Sequence, residues 1–176
     1  MSRAERLPDL SAIESYRYAL HAGNDARQRL DDGLAQLPTL LGCSHISVST
    51  TRLSASSSGI ASDDVARRCE DLQHLLAEGP TVHALATGHS VLSYALRRET
   101  RWPRWRHRVV TELGITAALA FPLHFQARLV GALTLYADSS GPLPDIDVAL
   151  AHALAAPLAT VLVEARLDGF LAVQAA

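Results

Sequence analysis

The stretch TAALAFPLHFQARLVGALTLYA, residues 116–137, holds one permanently charged side chain, Arg128, so nearly all of it must be screened from water. By length alone it could pass for a membrane span. Its alternation points elsewhere. Leu119, Phe121, Leu123 and Phe125 share one parity against Thr116, Ala118, Ala120 and His124. After QAR, Leu129, Gly131, Leu133 and Leu135 oppose Val130, Ala132, Thr134 and Tyr136. A period of two over two runs joined by a short polar turn predicts a β-hairpin covered on both faces. His124, which breaks the apolar run beside the turn, is expected to face solvent.

A hairpin covered on both faces needs helices on both sides, and the chain supplies them. Ser11–Glu14 has capping-box spacing and starts a helix that Gly23-Asn24 interrupts. Leu30, Leu34, Leu37 and Leu41 form the apolar stripe of a second helix, which Gly42 ends. HISVSTTRL reads as a strand, SASSSG as a loop, and Gly59–Ala61 as a short second strand. Residues 62–76 return to helix, with Val65, Cys69, Leu72 and Leu76 on one face. Pro80 opens a short helix that ends before Gly88. HSVLSY is a third strand. Residues 103–113 form a helix with Trp102, Trp105, Val109 and Leu113 inward, and the hairpin follows. The turn SSGPLPDID leads to a last helix over about 145–168, with two acids in its first turn. This order predicts one α+β domain over residues 11–176 behind a flexible tail, 1–10. An antiparallel sheet should carry the terminal helices on one face and the crossover helices on the other.

Several functions are excluded by residue type. All 16 basic residues are Arg, so Schiff-base, P-loop and lysine general-base chemistry have no candidate. The absence of Lys beside heavy use of Ala and Leu is read as GC-rich coding bias of an actinobacterial kind. Net charge is −2, which does not mark the chain for nucleic acid. Cys43 and Cys69 have neither metal nor CxxC spacing. His83 and His89 are six apart across a helix end, no recognised metal spacing, so no metal and no cofactor is expected. There is no GxSxG elbow, phosphate-binding glycine loop or HExxH, and an enzyme is not expected. The start, MSRAERLPDL, lacks the apolar core of a signal peptide; the expected location is cytoplasmic, away from membranes.

Two features could reach partners. Arg97, Arg98, Arg101, Arg104, Arg106 and Arg108 fall within twelve residues against one acid, Glu99. They form either an anion or partner surface or a solvated face anchored by Trp102 and Trp105. No nucleic-acid-binding motif accompanies them. On the last helix, Leu150, Leu154, Leu158 and Val161 form one stripe, and Val148, Ala151, Ala155 and Leu162 another. One can cover the sheet; the other then needs a partner helix, which predicts a homodimer. Pro157 should kink this helix near its middle.

Together DLQHLLAEGPTVHALATGHSV, ETRWPRW, LGITAALAFPLHFQARLVGALTLYA and the final helix resemble the GAF domains in order and spacing, over about residues 25–167. The likeness is to those that precede ANTAR RNA-binding domains in actinobacterial regulators, with the ANTAR part absent here. The resemblance implies a six-stranded or similar antiparallel sheet, a small-molecule cup and dimerisation through terminal helices. It implies a regulatory sensor signalling to a partner protein. By this analogy the cup lies between the sheet and segments 79–88 and 101–113, with Thr81, His83, Trp102, Trp105, Phe121 and Tyr136 as candidate lining. Phe121 and Tyr136 have opposite parity, so which of them faces the cup stays open. Thr81 and His83 stand where such sequences often have Cys and Asp. Cyclic-nucleotide GAF domains use a Lys, and GAF-fold methionine sulfoxide reductases use three cysteines; this chain has neither. These departures imply a small, largely dry and apolar cavity. The alternative is a degenerate GAF domain, its cup filled by the Trp side chains, serving as a protein-interaction module.

Overall fold

The computed structural model describes residues 10–23, 25–51, 60–138 and 148–174, with side chains up to Ala165. Along the chain run α1 (Leu10–His21), α2 (Ala26–Leu41), β1 (His45–Thr50), β2 (Ile60–Ala61), α3 (Asp64–Leu76), α4 (Pro80–Thr87) and β3 (Val91–Ser93). A 3-10 turn at Leu96–Arg98 follows, then α5 (Pro103–Glu112), β4 (Ile115–Phe125), β5 (Arg128–Asp138) and α6 (Val148–Gln174). The fold is α+β, as expected, with five strands among the described residues. They pair antiparallel in the order β2-β1-β5-β4-β3.

β4 and β5 are the centre of the sheet, and their joining turn is two residues long. Gln126 and Ala127 both have positive φ, 47° and 61°, the backbone of a type I′ turn, whose twist matches that of the strands it joins. The ladder slips at two points, between Ile115 and Ala117 and between Leu123 and His124. Each slip changes which parity faces which layer. His124, beside the second slip, is exposed as expected.

The sheet separates two cores. On one face, Ala117, Leu119, Phe121, Leu123, Leu133 and Leu135 meet α6, which packs in turn on α2 and α1. On the other, Ala118, Ala120, Ala132 and Tyr136 meet α3, α4 and α5. Between Val148 and Ala165, α6 is long and apolar enough to cross a membrane by length and composition; here it lies between the sheet and the α1–α2 layer. The phenol of Tyr16 on α1 donates to the Leu154 carbonyl at 2.7 Å.

Three boundaries differ from those read in the sequence. Leu10 is already helical, so Ser11 lies within the first turn of α1 rather than ahead of it. The helix α6 continues through Pro157 and reaches Gln174. Its start near Asp145, the SASSSG loop and most of the N-terminal tail lie outside the described residues.

The expected dimer stripe is also placed differently. Leu154, Leu158 and Val161 are buried within the protomer and Leu150 is half-buried there, while Ala151, Ala155 and Leu162 of the second stripe are buried too. The partner helices that these faces require are α1 and α2 of the same chain. The stripe is therefore intramolecular core.

Candidate functional site

The sheet face covered by α3, α4 and α5, where the cup is expected, is built from local chain geometry. α3 is capped by Asp63, whose carboxylate accepts from the Ala66 amide at 2.9 Å. From that start α3 directs Glu70 and Gln73, as well as Cys69 and Leu72, toward the sheet. The chain then turns through Ala77 and Gly79, both at positive φ, into the Pro80 start of α4. Gly79 has φ +136°, and a Cβ there would fall 2.3 Å from Gln73 Oε1. Only glycine allows this approach, which brings the Thr81 amide to donate to Gln73 Oε1 at 2.8 Å.

Seven polar side chains meet in this space, and all are buried: Ser47 and Ser49 of β1, Glu70 and Gln73 of α3, Thr81 of α4, and Thr134 and Tyr136 of β5. Glu70 Oε1 accepts from Ser47 Oγ at 2.7 Å, Thr81 Oγ1 at 2.7 Å, the Tyr136 phenol at 2.5 Å and Gln73 Nε2 at 3.1 Å. Its other oxygen accepts from Ser49 Oγ at 2.7 Å. Thr81 Oγ1 and Thr134 Oγ1 are 2.7 Å apart, and with Thr81 committed to Glu70, Thr134 is the donor. Gln73 Nε2 also reaches the Thr81 hydroxyl and the Tyr136 phenol, at 2.8 and 2.9 Å. His74 Nε2 lies 3.8 Å from Glu70 Oε2 at the margin. Loss of water, reinforced by the Glu70 charge, pushes the Tyr136 phenol well above its usual range, so it stays a donor. Hydrogen bonds to an ionised acceptor are about twice as strong as neutral ones, which makes this carboxylate the organising centre.

An aromatic wall closes the side toward α5. Trp105 is fully buried and donates Nε1–H to the Cys69 carbonyl at 3.1 Å. Trp102 meets it edge-on at 6.0 Å between centroids, and His83 meets Trp102 edge-on at 5.9 Å. Glu78 caps α5 by accepting from the amides of Arg104 and Trp105 at 2.9 and 3.1 Å. It also takes Arg104 Nε at 2.6 Å, so the α3–α4 turn and α5 are fastened together.

Of the expected lining residues, Thr81, Trp102, Trp105 and Tyr136 are brought together on this face, and half-buried His83 stands at its edge. Phe121 is not among them. It points through the opposite face into the α6 layer, its ring 5.1 Å from that of His152, because it shares a face with Leu119 and Leu133. The centre of the cup is polar rather than apolar, and its anchor, Glu70, is absent from the sequence-derived set, as are Gln73, Ser47, Ser49 and Thr134.

The arginine run is not one cationic surface. Arg101 pairs with Glu99 at 2.6 Å and lies over the Trp102 ring at 4.4 Å; Arg104 pairs with Glu78 and Arg108 with Glu112. Arg97 and Arg98 are exposed, with no acidic partner among the described residues. Among those residues no group of three His, Cys, Asp or Glu side chains could hold a metal ion. Cys43 and Cys69 pack on opposite sides of the sheet, and burial pushes both thiols up, Cys43 to about 12.

A sequence profile of the GAF domain matches residues 24–163. No curated protein sequence is a match. Among solved structures, the chain is similar to the GAF domain of a phosphoenolpyruvate-protein phosphotransferase from Coxiella burnetii, at 16% identity and TM-score 0.64, covering 91% of this chain and 95% of that one. It is similar to free methionine-R-sulfoxide reductase from Neisseria meningitidis in complex with its substrate, at 12% identity and TM-score 0.59, covering 96% and 99%. A third likeness is to the N-acylhomoserine lactone-dependent LuxR family transcription factor CepR2 from Burkholderia cenocepacia, at 15% identity and TM-score 0.62, covering 86% and 91%. At such identities these three show a shared fold. GAF domains are regulatory sensor domains. With the profile spanning most of the sequence and the sheet and helix layers agreeing, the chain belongs to the GAF domain family.

Proposed function

We propose that this chain is a sensor that takes a small polar molecule against the Glu70 carboxylate and passes the change to a partner protein. The observation that carries this reading is the convergence of Ser47, Ser49, Gln73, Thr81 and Tyr136 on Glu70 from four separate elements. A cup that needed only filling would be served by apolar side chains, which are often neutral or stabilising in place of a buried charged group. A satisfied polar network instead specifies one arrangement, and a ligand offering its own donors can exchange with those on the carboxylate. Gln73 and Thr81 join α3 to the start of α4, so such an exchange shifts the helices over the cup. Two proteins of this fold bind or depend on small molecules: the Neisseria reductase was solved with its substrate, and CepR2 depends on an N-acylhomoserine lactone.

In this reading the domain works without catalysing a reaction, as a cytoplasmic homodimer in transcription regulation of the actinobacterial GAF–ANTAR kind. Thiol-pair chemistry finds no support, since the sheet lies between Cys43 and Cys69. The dimer forms through the terminal helices, where Leu10 and Tyr18 of α1 are 73% and 75% exposed. A second reading, the filled-cup interaction module, draws on the burial of all seven network side chains and of Trp105. Native mass spectrometry of gently purified protein separates the two. A retained small-molecule mass, lost in Glu70→Gln while the fold is kept, supports the sensor. A clean protein mass that no panel of small polar metabolites changes favours the filled cup.

A further inference from the structure

With Arg101, Arg104 and Arg108 committed to Glu99, Glu78 and Glu112, the arginine run leaves a recess that none of these pairs occupies. It lies between the 3-10 turn and α5, has a volume of about 190 Å³, and is lined by Arg97, Arg106, His107, Val110 and Thr111. No acid lines it. The single carboxylate on α5, Glu112, is held by Arg108 and Arg68. Arg106 is fixed in place because its Nη1 donates to the Arg97 carbonyl at 3.0 Å. Its Nε is buried and has no hydrogen-bond partner, one of two such side-chain atoms among the described residues. The other, on Arg29, belongs to a guanidinium already paired with Glu164 at 2.7 Å; that of Arg106 has no acid.

From this geometry we infer an oxyanion site, separate from the cup, that takes a phosphate group. A guanidinium edge is matched to the paired oxygens of a tetrahedral anion, and no carboxylate competes for Arg97 or Arg106 at this opening. Arg97 and Arg106 supply two charges that differ in mobility, one exposed and one held. His107 stands at the same opening, and the Thr111 hydroxyl, which donates to the His107 carbonyl at 2.7 Å, borders it. At about 190 Å³ and open to solvent on one side, the recess has room for one phosphate group.

The test is isothermal titration of the intact chain with inorganic phosphate and, separately, glycerol 3-phosphate at low ionic strength. Saturable one-site binding is expected, weakened at least about tenfold, or roughly 1.4 kcal/mol, by Arg97→Ala and by Arg106→Gln and unchanged by Arg108→Ala. Arg97 is exposed, so its variant keeps the test open if Arg106→Gln does not fold. Tighter binding of glycerol 3-phosphate points to the phosphate of a small metabolite, and equal binding to the free ion; both support the site. Absence of saturable binding overturns it, as does an equal loss in Arg108→Ala, which would reduce the effect to diffuse charge.

Discussion

The phenol of Tyr136 and the carboxylate of Glu70 are 2.5 Å apart, although 66 residues separate them in the sequence. The bond joins β5 to α3 through the middle of the cup, with both side chains shut off from water. Tyr136→Phe keeps the ring and removes the donor, leaving the carboxylate one charge-assisted bond short. A loss of about 1–3 kcal/mol is expected. For a chain of this size that lowers Tm by roughly 2–4 °C per kcal/mol, read by calorimetry. Unchanged stability would mean that the phenol and carboxylate are not bonded in solution.

Gly79 gives a second, independent handle on the same network. In Gly79→Ala the new Cβ would strike Gln73, and φ +136° is strained for any side chain. The backbone strain alone should destabilise by about 1–3 kcal/mol. Adding Gln73→Ala removes the clash, so the double variant should be more stable than the sum of the two single losses predicts, with a coupling on the order of 0.5–3 kcal/mol. Additive losses in urea unfolding would place Gln73 away from Gly79.

The hairpin, both helical layers and the aromatic wall were legible in the sequence because each is written as a periodic apolar pattern. The carboxylate at the centre was not. Glu70 and Gln73 flank the stripe Val65, Cys69, Leu72, Leu76, where polar residues ordinarily read as a solvated edge. What distinguishes them is company from far along the chain. Ser47 and Ser49 share one strand face, as do Thr134 and Tyr136, and only the β1–β5 register brings those pairs over α3. Polar pairs two apart on strands and three apart on a helix were the available signal. The choice between Phe121 and Tyr136 stayed open in the sequence for a related reason: strand parity fixes which residues share a face, not which layer covers that face, and only the packing of α3 to α5 on the Tyr136 side decides it. The pairing of the arginine run was only partly legible: Glu99 and Glu112 lie close along the chain, whereas Glu78 precedes Arg104 by 26 residues.

Leu158 shows whether the last helix is core or interface. It is fully buried against the sheet and the α1–α2 layer of its own chain. Leu158→Ala should lower unfolding stability by about 2–5 kcal/mol, the usual range for a buried leucine truncation. Because the lost contacts are intramolecular, the difference from the parent should be the same at low and high protein concentration. A loss that fades as the protein is concentrated would return the residue to a subunit interface.

Glu99 and Arg101 supply the acid-sensitive element of the cup's outer wall. Arg101 donates to Glu99 through Nε at 2.9 Å and Nη2 at 2.6 Å, and its guanidinium lies over Trp102. Those bonds are the main reason the Glu99 carboxyl is held down at about 2, against the opposing effect of partial burial. In the unfolded chain the same carboxyl titrates near 4.3. A depressed folded value means that the stabilisation is complete above about pH 4.3 and is lost as the pH falls toward 2, where both states are protonated. The Tm difference between the parent and Glu99→Gln should therefore be flat from about pH 7 to 5 and shrink steadily below about pH 4.3. Raising salt should shrink it as well, since Arg101 is 40% exposed and the pair is partly screened. A difference that stays constant down to about pH 2.5 would show that the carboxylate is not held by the guanidinium, and the clamp on Trp102 would have to come from packing alone.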